Sequence, residues 1–203
     1  MPLRRHVAAA AAAALLALAA PAPAQDLAPH LGPLAGVVEL GDDGTWVAEV
    51  QGGWFTLSNR RDPGAVTYYW IGTPATEAGT YRAAMNLVVQ GGDDGPAHAG
   101  FLFNFRAGDR YLGIVIGGQG ETHVILRSPE GFDMQPVEAQ TPPRGDGSDM
   151  LTATVDGATA RFDLNGERLL EIEGDGAFSP RVGIIAVGTG LFGFTGFDIA
   201  PAG

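Results

Sequence analysis

The sequence predicts an all-β sandwich or barrel of about twelve strands, on three observations. Short apolar runs succeed one another from Val37 to Ile199, punctuated by glycine, aspartate and proline. Several runs alternate at period two: Phe101, Phe103 and Phe105 against Asn104 and Arg106, and Leu151, Ala153 and Val155 against Thr152 and Thr154. Such alternation makes strands with one buried face. No stretch shows the i, i+3, i+4 spacing of a long amphipathic helix.

The first 24 residues stand outside that pattern. Arg4 and Arg5, the apolar run from Ala8 to Ala20 and the small-residue site Ala22-Pro23-Ala24 make a secretory signal peptide, too short between its flanks to span a bilayer. Cleavage is expected after Ala24. No cysteine follows the run to carry a lipid anchor, and no later segment reaches the roughly 20 apolar residues of a membrane helix. The mature chain is therefore expected in the periplasm or outside the cell, with no membrane insertion. Residues 25–36, with Pro29, Pro33 and His30, read as a lead-in, either a short helical turn or plain connecting chain. A single sandwich domain is expected over 37–199, with 200–203 as a tail.

Within the domain the expected strands run in order. Trp46–Val50 and Trp54–Ser58 flank Gly52-Gly53, and Val66–Ile71 comes after Asp62-Pro63-Gly64. Tyr81–Val89 ends before the glycine-aspartate turn of 91–95. Gly100–Arg106, Tyr111–Ile116 and His123–Arg127 come next, the last two parted by Gly117–Gly120. The stretch 133–149 reads as a loop across one end of the sandwich. Met150–Val155, Ala158–Leu164 and Glu167–Ile172 succeed it. Asn165-Gly166 favours the positive φ angles of a type I′ turn, so the last two should pair as a hairpin. Val182–Val187 and Phe194–Ile199 close the series.

This order carries a resemblance. Ala99-Gly-Phe-Leu-Phe-Asn-Phe-Arg106, Tyr111-Leu-Gly-Ile-Val, the arginine-ended Val124-Ile-Leu-Arg127, Leu151-Thr-Ala-Thr-Val-Asp-Gly157, the Asn-Gly hairpin, Arg181-Val-Gly-Ile and Phe194-Thr-Gly-Phe-Asp-Ile199 stand in sequence. The chain resembles the concanavalin A-like lectin and glucanase jelly rolls, in their laminin-G-like and 3-keto-disaccharide hydrolase-like branches. The resemblance implies a two-sheet antiparallel jelly roll over most of 37–199. Folds of this kind host lectins, glycosidases and adhesive modules, so the fold does not decide the activity. It also implies a structural calcium near an aspartate of the final strand, which points to Asp198.

Composition narrows the partners. All twelve basic residues are arginines against 23 acids, a formal charge of −11, and removing the leader takes away two arginines and no acid. Nucleic acid and anionic membranes are poor partners for such a chain. There is no cysteine, so no disulfide staples the fold. A mature chain of roughly 180 residues can hold itself with a core that buries about 70% of its unfolded surface.

Most motifs dissolve into turns. Gly188-Thr-Gly190-Leu-Phe-Gly193 spells a dinucleotide fingerprint, but that chemistry needs a helix to open there, and the residues after it read as a strand. Arg144-Gly145-Asp146 is a chance tripeptide. The pairs Asp42-Asp43, Asp93-Asp94 and Asp146/Asp149 are either turn formers or calcium ligands, with no EF-hand spacing. Scattered histidines exclude a zinc motif, and there is no nucleophile elbow. Glucanase chemistry needs two carboxylates on one face, about 5 Å apart for a retaining mechanism. Glu171 and Glu173 have the parity for it but lack a third acid in register; Glu39 near Asp42 and Asp43 is the other candidate.

A surface remains. With Phe101, Phe103 and Phe105 facing the core, Asn104, Arg106, Tyr111, His123 and Arg127 share the opposite face if their strands are neighbours. Tyr69 and Trp70 are candidate aromatics beside them. Guanidinium forks and aromatic rings grip sugar hydroxyls, carboxylates and sulfates and stack on a pyranose. The expectation is a non-catalytic exported module that binds a glycan or another envelope polymer and needs no cofactor beyond structural calcium. The alternatives are a glycoside-processing hydrolase using Glu171 or Glu173, and a structural or protein-interaction module.

Overall fold

The computed structural model describes residues 26–91, 95–138 and 147–202. The leader, Asp93-Asp94 and the Arg144–Asp146 tripeptide lie outside them. Among the described residues fourteen strands form two antiparallel sheets, two more than expected. They are β1 (Gly41–Asp42), β2 (Val47–Gln51), β3 (Trp54–Asn59), β4 (Val66–Gly72), β5 (Thr80–Gly91), β6 (Ala97–Ala107) and β7 (Arg110–Gly117). The second half contributes β8 (Thr122–Ser128), β9 (Gly131–Pro136), β10 (Asp149–Asp156), β11 (Thr159–Leu164), β12 (Glu167–Glu173), β13 (Arg181–Gly188) and β14 (Gly190–Pro201). One sheet has the order β1-β2-β3-β14-β5-β10-β11-β12, the other β4-β13-β6-β7-β8-β9.

The core lies between the sheets. Phe55, Leu57, Met85, Phe162, Phe192 and Phe194 of the eight-stranded sheet meet Phe101, Phe103, Ile114, Val182 and Ile184 of the six-stranded one. Phe103 and Phe162 approach to 4.8 Å between ring centres. The lead-in takes the helical form. A short helix, α1 (Ala28–Leu31), and a 3₁₀ turn at Gly32–Gly36 send Leu31 and Leu34 wholly out of solvent into this core.

The Asn-Gly hairpin forms as expected: Asn165 and Gly166 have φ of 55° and 86°, and β11 pairs with β12. The expected loop 133–149 instead begins as strand, because Phe132, Met134 and Pro136 pair with Arg127, Ile125 and His123 on the edge of the six-stranded sheet. Neither glycine of Gly190-Leu-Phe-Gly193 opens a helix; both lie within β14.

The strands β6, β7 and β8 are neighbours, with Tyr111 opposite Arg127. One feature of β6 departs from the expected parity. Phe103 pairs with Leu112 and Ala107 with Arg110, so three residues of β6 oppose the single Tyr111. Asn104 takes a left-handed conformation, φ 50°, at this bulge. Phe105 is thereby turned away from the core, against the alternation of the sequence. It joins Leu102, Tyr111, Val115, Ile125, Ile185 and Val187 in a second apolar cluster on the outer face of the six-stranded sheet.

Candidate functional site

That outer face is not the open polar surface the sequence suggested. Tyr111 points outward as expected but is only 4% exposed, and Phe105 6%. Trp70 stacks on Phe105 at 5.1 Å, Phe105 on Tyr111 at 6.2 Å, and Tyr68 leans on both at 5.4 Å. Arg181 covers Trp70 at 4.5 Å from its ring centre. The rings pack against one another, so they do not offer free faces to a sugar. Burial, with the nearby Tyr68, holds the Tyr111 phenol above its ordinary pKa despite Arg127, so it stays neutral.

Three other expected site residues lie elsewhere or serve another purpose. Tyr69 has inward parity and packs edge-on against Phe55 at 6.2 Å, because alternate residues of β4 face opposite ways. His123 lies four residues from Arg127 along β8, about 13 Å away. It meets His98 edge to face at 4.9 Å. Asn104 is committed to the backbone: its Oδ1 accepts the Ser179 N–H at 2.9 Å and the Arg106 Nε–H at 3.4 Å. Ser179 Oγ in turn donates to the Phe105 carbonyl at 2.7 Å. The bulge is thus latched to the loop between β12 and β13.

Where that loop faces the bulge, the sandwich opens into a cleft of about 540 Å³. It brings together Asn104, Arg106, Tyr111 and Arg127 of the expected set. One wall comes from β6, β7 and β8, with Arg106, Arg110 and Arg127. The other comes from the end of β12 and its loop, with Glu173 and Asp175. Leu112, Leu126, Ile172 and Phe178 supply apolar lining between them. Leu126 is an exposed leucine despite its inward parity, because the sheets part here. Phe178 is held by an edge contact to Phe103 at 5.7 Å and by its own N–H, which donates to the Gly157 carbonyl.

Among the described residues no ion pair uses Arg106, Arg110 or Arg127, and none uses Glu173 or Asp175. Arg110 has Glu130 nearby; the Ser128 hydroxyl chiefly, a backbone N–H, and Arg110 to a lesser degree hold that carboxyl below its usual range. Arg106 and Arg127 have no such answer. Glu171 does not share the cleft. It is held across the exposed sheet face by Arg161 at 2.8 Å and Arg168 at 3.1 Å, whereas Glu173 lines the cleft. Glu39, Asp42 and Asp43 line a separate recess with Trp46 and Tyr69. Asp198 is exposed on β14, and no group of three histidines or acids able to hold a metal occurs among the described residues.

Solved structures share the two-sheet arrangement. The carbohydrate-binding module CBM66 from Bacillus subtilis superposes with a TM-score of 0.55 at 12% identity, over 77% of this chain and 91% of that one. A Bacillus subtilis protein of unknown function with a galectin-like fold gives 0.54 at 12% identity, over 77% and 87%. The chain has the two-sheet antiparallel jelly-roll fold of these structures. A glycosyl hydrolase candidate from Parabacteroides distasonis shares the jelly roll at TM-score 0.51 and 11% identity, over 86% and 98%. No protein-family model matches the sequence, and no curated protein does. Arg127 and Glu173 are far apart in sequence and on different sheets, and the fold brings both to the lining of one cleft.

Proposed function

We propose that this protein is an exported glycan-binding module whose ligand sits in the cleft between Arg106/Arg127 and Glu173/Asp175. The observation that carries the reading is the division of the cleft into a donor wall, an acceptor wall and an apolar lining. Vicinal sugar hydroxyls both donate and accept, so they can bridge guanidinium N–H groups on one side and carboxylates on the other. The C–H face of the ring then rests on Leu112, Leu126, Ile172 and Phe178, losing little to desolvation. Fold likeness to a carbohydrate-binding module supports the reading. So does the leader-like sequence of residues 1–24, which would deliver the module to extracellular or envelope polysaccharide.

The test is a glycan array followed by calorimetry with the wild type and the double variant Arg106→Ala/Arg127→Ala. Binding by the wild type, and its loss in a variant with unchanged circular dichroism, is expected. Absence of binding to every saccharide, or full retention in the variant, overturns the reading.

Hydrolysis is the second reading, favoured by one observation: Glu173 and Asp175 line the same cleft. It requires turnover of a bound glycan that stops in Glu173→Gln or Asp175→Asn. Under the binding reading no reducing ends are released by any variant.

A further inference from the structure

The arginines of this cleft are out of keeping with the rest of the surface. The chain is strongly acidic, with 23 Asp and Glu against 12 basic residues. Among the described arginines outside the cleft, all but Arg60 have a partner. Arg161 and Arg168 pair with Glu171 and Asp163, Arg61 donates to the Gly44 carbonyl, and Arg82 to the Thr152 hydroxyl. At the cleft, Arg106 and Arg127 rise from β6 and β8 on either side of β7. Their strands are two spacings apart, about 10 Å, which two arginine side chains can close over one small anion. Arg106 Nε lies 3.4 Å from Asn104 Oδ1, and its terminal Nη groups enter no ion pair among the described residues. Neither guanidinium has a carboxylate partner among the described residues.

The opposite wall restricts what that anion can belong to. Glu173 and Asp175 repel a ligand charged all round, such as a densely sulfated chain, but accept hydrogen bonds from hydroxyls. The ligand therefore needs one carboxylate at one edge and hydroxyls at the other. A uronic acid has this form: its C6 carboxylate lies across the ring from the 2- and 3-hydroxyls.

Resting on the glycan reading above, we infer that the cleft selects uronate-containing glycans, with the sugar carboxylate between Arg106 and Arg127 and its hydroxyls on Glu173 and Asp175. A carboxylate bound in bidentate fashion by guanidinium is a strong, directional contact that a neutral sugar lacks.

Trimers of glucuronate, galacturonate and mannuronate, each beside its carboxyl-reduced neutral counterpart, test this by calorimetry at low and high salt. At least one uronate trimer is expected to bind about tenfold or more tightly than its neutral partner. The advantage should shrink with salt and vanish in Arg127→Ala. A heparin oligosaccharide should bind more weakly than the best uronate. Equal affinity for a uronate and its neutral counterpart overturns the inference but leaves the glycan reading standing. Tighter binding of heparin overturns it as well. No binding by any sugar overturns both.

Discussion

Replacing Asn104 tests whether the cleft is built by the bulge. Asn104 does two things at once: it occupies a left-handed backbone well, and its Oδ1 accepts the Ser179 N–H that holds the β12–β13 loop. Alanine fails at both. A Cβ-bearing residue without a local side-chain acceptor costs about 1–2 kcal/mol in that well. Leaving a half-buried N–H without its partner adds about 1 kcal/mol. The expected loss for Asn104→Ala is therefore about 2–3 kcal/mol, a fall of about 1 M in urea midpoint for a typical denaturant slope. Asn104→Gly is free of the backbone penalty and should lose about 1 kcal/mol or less. Asn104→Asp keeps the acceptor and should be close to wild type. Urea unfolding followed by tryptophan fluorescence gives all three values. Binding should weaken in the alanine and glycine variants alike, because Asp175 and Phe178 are carried by the loop that Ser179 anchors. Equal stability of the alanine and glycine variants would refute the role given to the left-handed backbone, and unaltered binding in both would refute the latch.

Groups outside the cleft give further tests. The Tyr81 hydroxyl is buried with no partner among the described residues, and burial raises its pKa; Tyr81→Phe should be neutral or stabilising by about 1 kcal/mol, read by thermal melting, whereas a clear loss would reveal a hydrogen bond there. His98 is 5% exposed, and burial, opposed by Glu121 at 3.1 Å, holds its pKa below the ordinary 6.5. The unfolded chain therefore takes up a proton near pH 6.5 that the folded one resists. Stability should fall as pH drops below that value, and His98→Gln should flatten the slope in urea titrations between about pH 7 and 5. The sign would be contradicted by stability that rises on acidification. Glu171→Gln breaks only exposed ion pairs with Arg161 and Arg168, so calorimetry should find glycan affinity unchanged and unfolding should show a loss under about 1 kcal/mol.

The physical reasons for what the sequence does and does not reveal are local. Alternation in Tyr111–Ile116 and His123–Arg127 correctly assigns faces, because both strands are regular and pair without a break. The same rule misplaces Phe105. Phe103-Asn-Phe-Arg alternates as an unbroken strand would, and the bulge exists only in the pairing of three residues against one. Tyr68-Tyr69-Trp70 has no polar member to mark a face, so nothing in the letters tells that Tyr69 enters the core while Trp70 leaves it. The second apolar cluster is equally silent in sequence. Leu102, Val115 and Ile185 read as continuations of buried strands, and only the structure reveals that aromatic rings roof them from outside. The strand β9 escapes notice because it is short and ends in Pro136. The acceptor wall of the cleft lies beyond pattern reading altogether: Asp175 and Phe178 sit in a glycine-flanked loop brought opposite Arg127 by the stacking of the two sheets.

The glycan reading places the ligand in the cleft and not on the neighbouring aromatic face. Amide and side-chain NMR shifts on titrating the bound glycan separate them most directly. The largest changes should fall at Arg106, Leu112, Leu126, Arg127, Glu173 and Phe178, with Tyr68 and Trp70 nearly still. Changes centred on Trp70, Tyr68 and Ile185, with the cleft unmoved, would contradict the account.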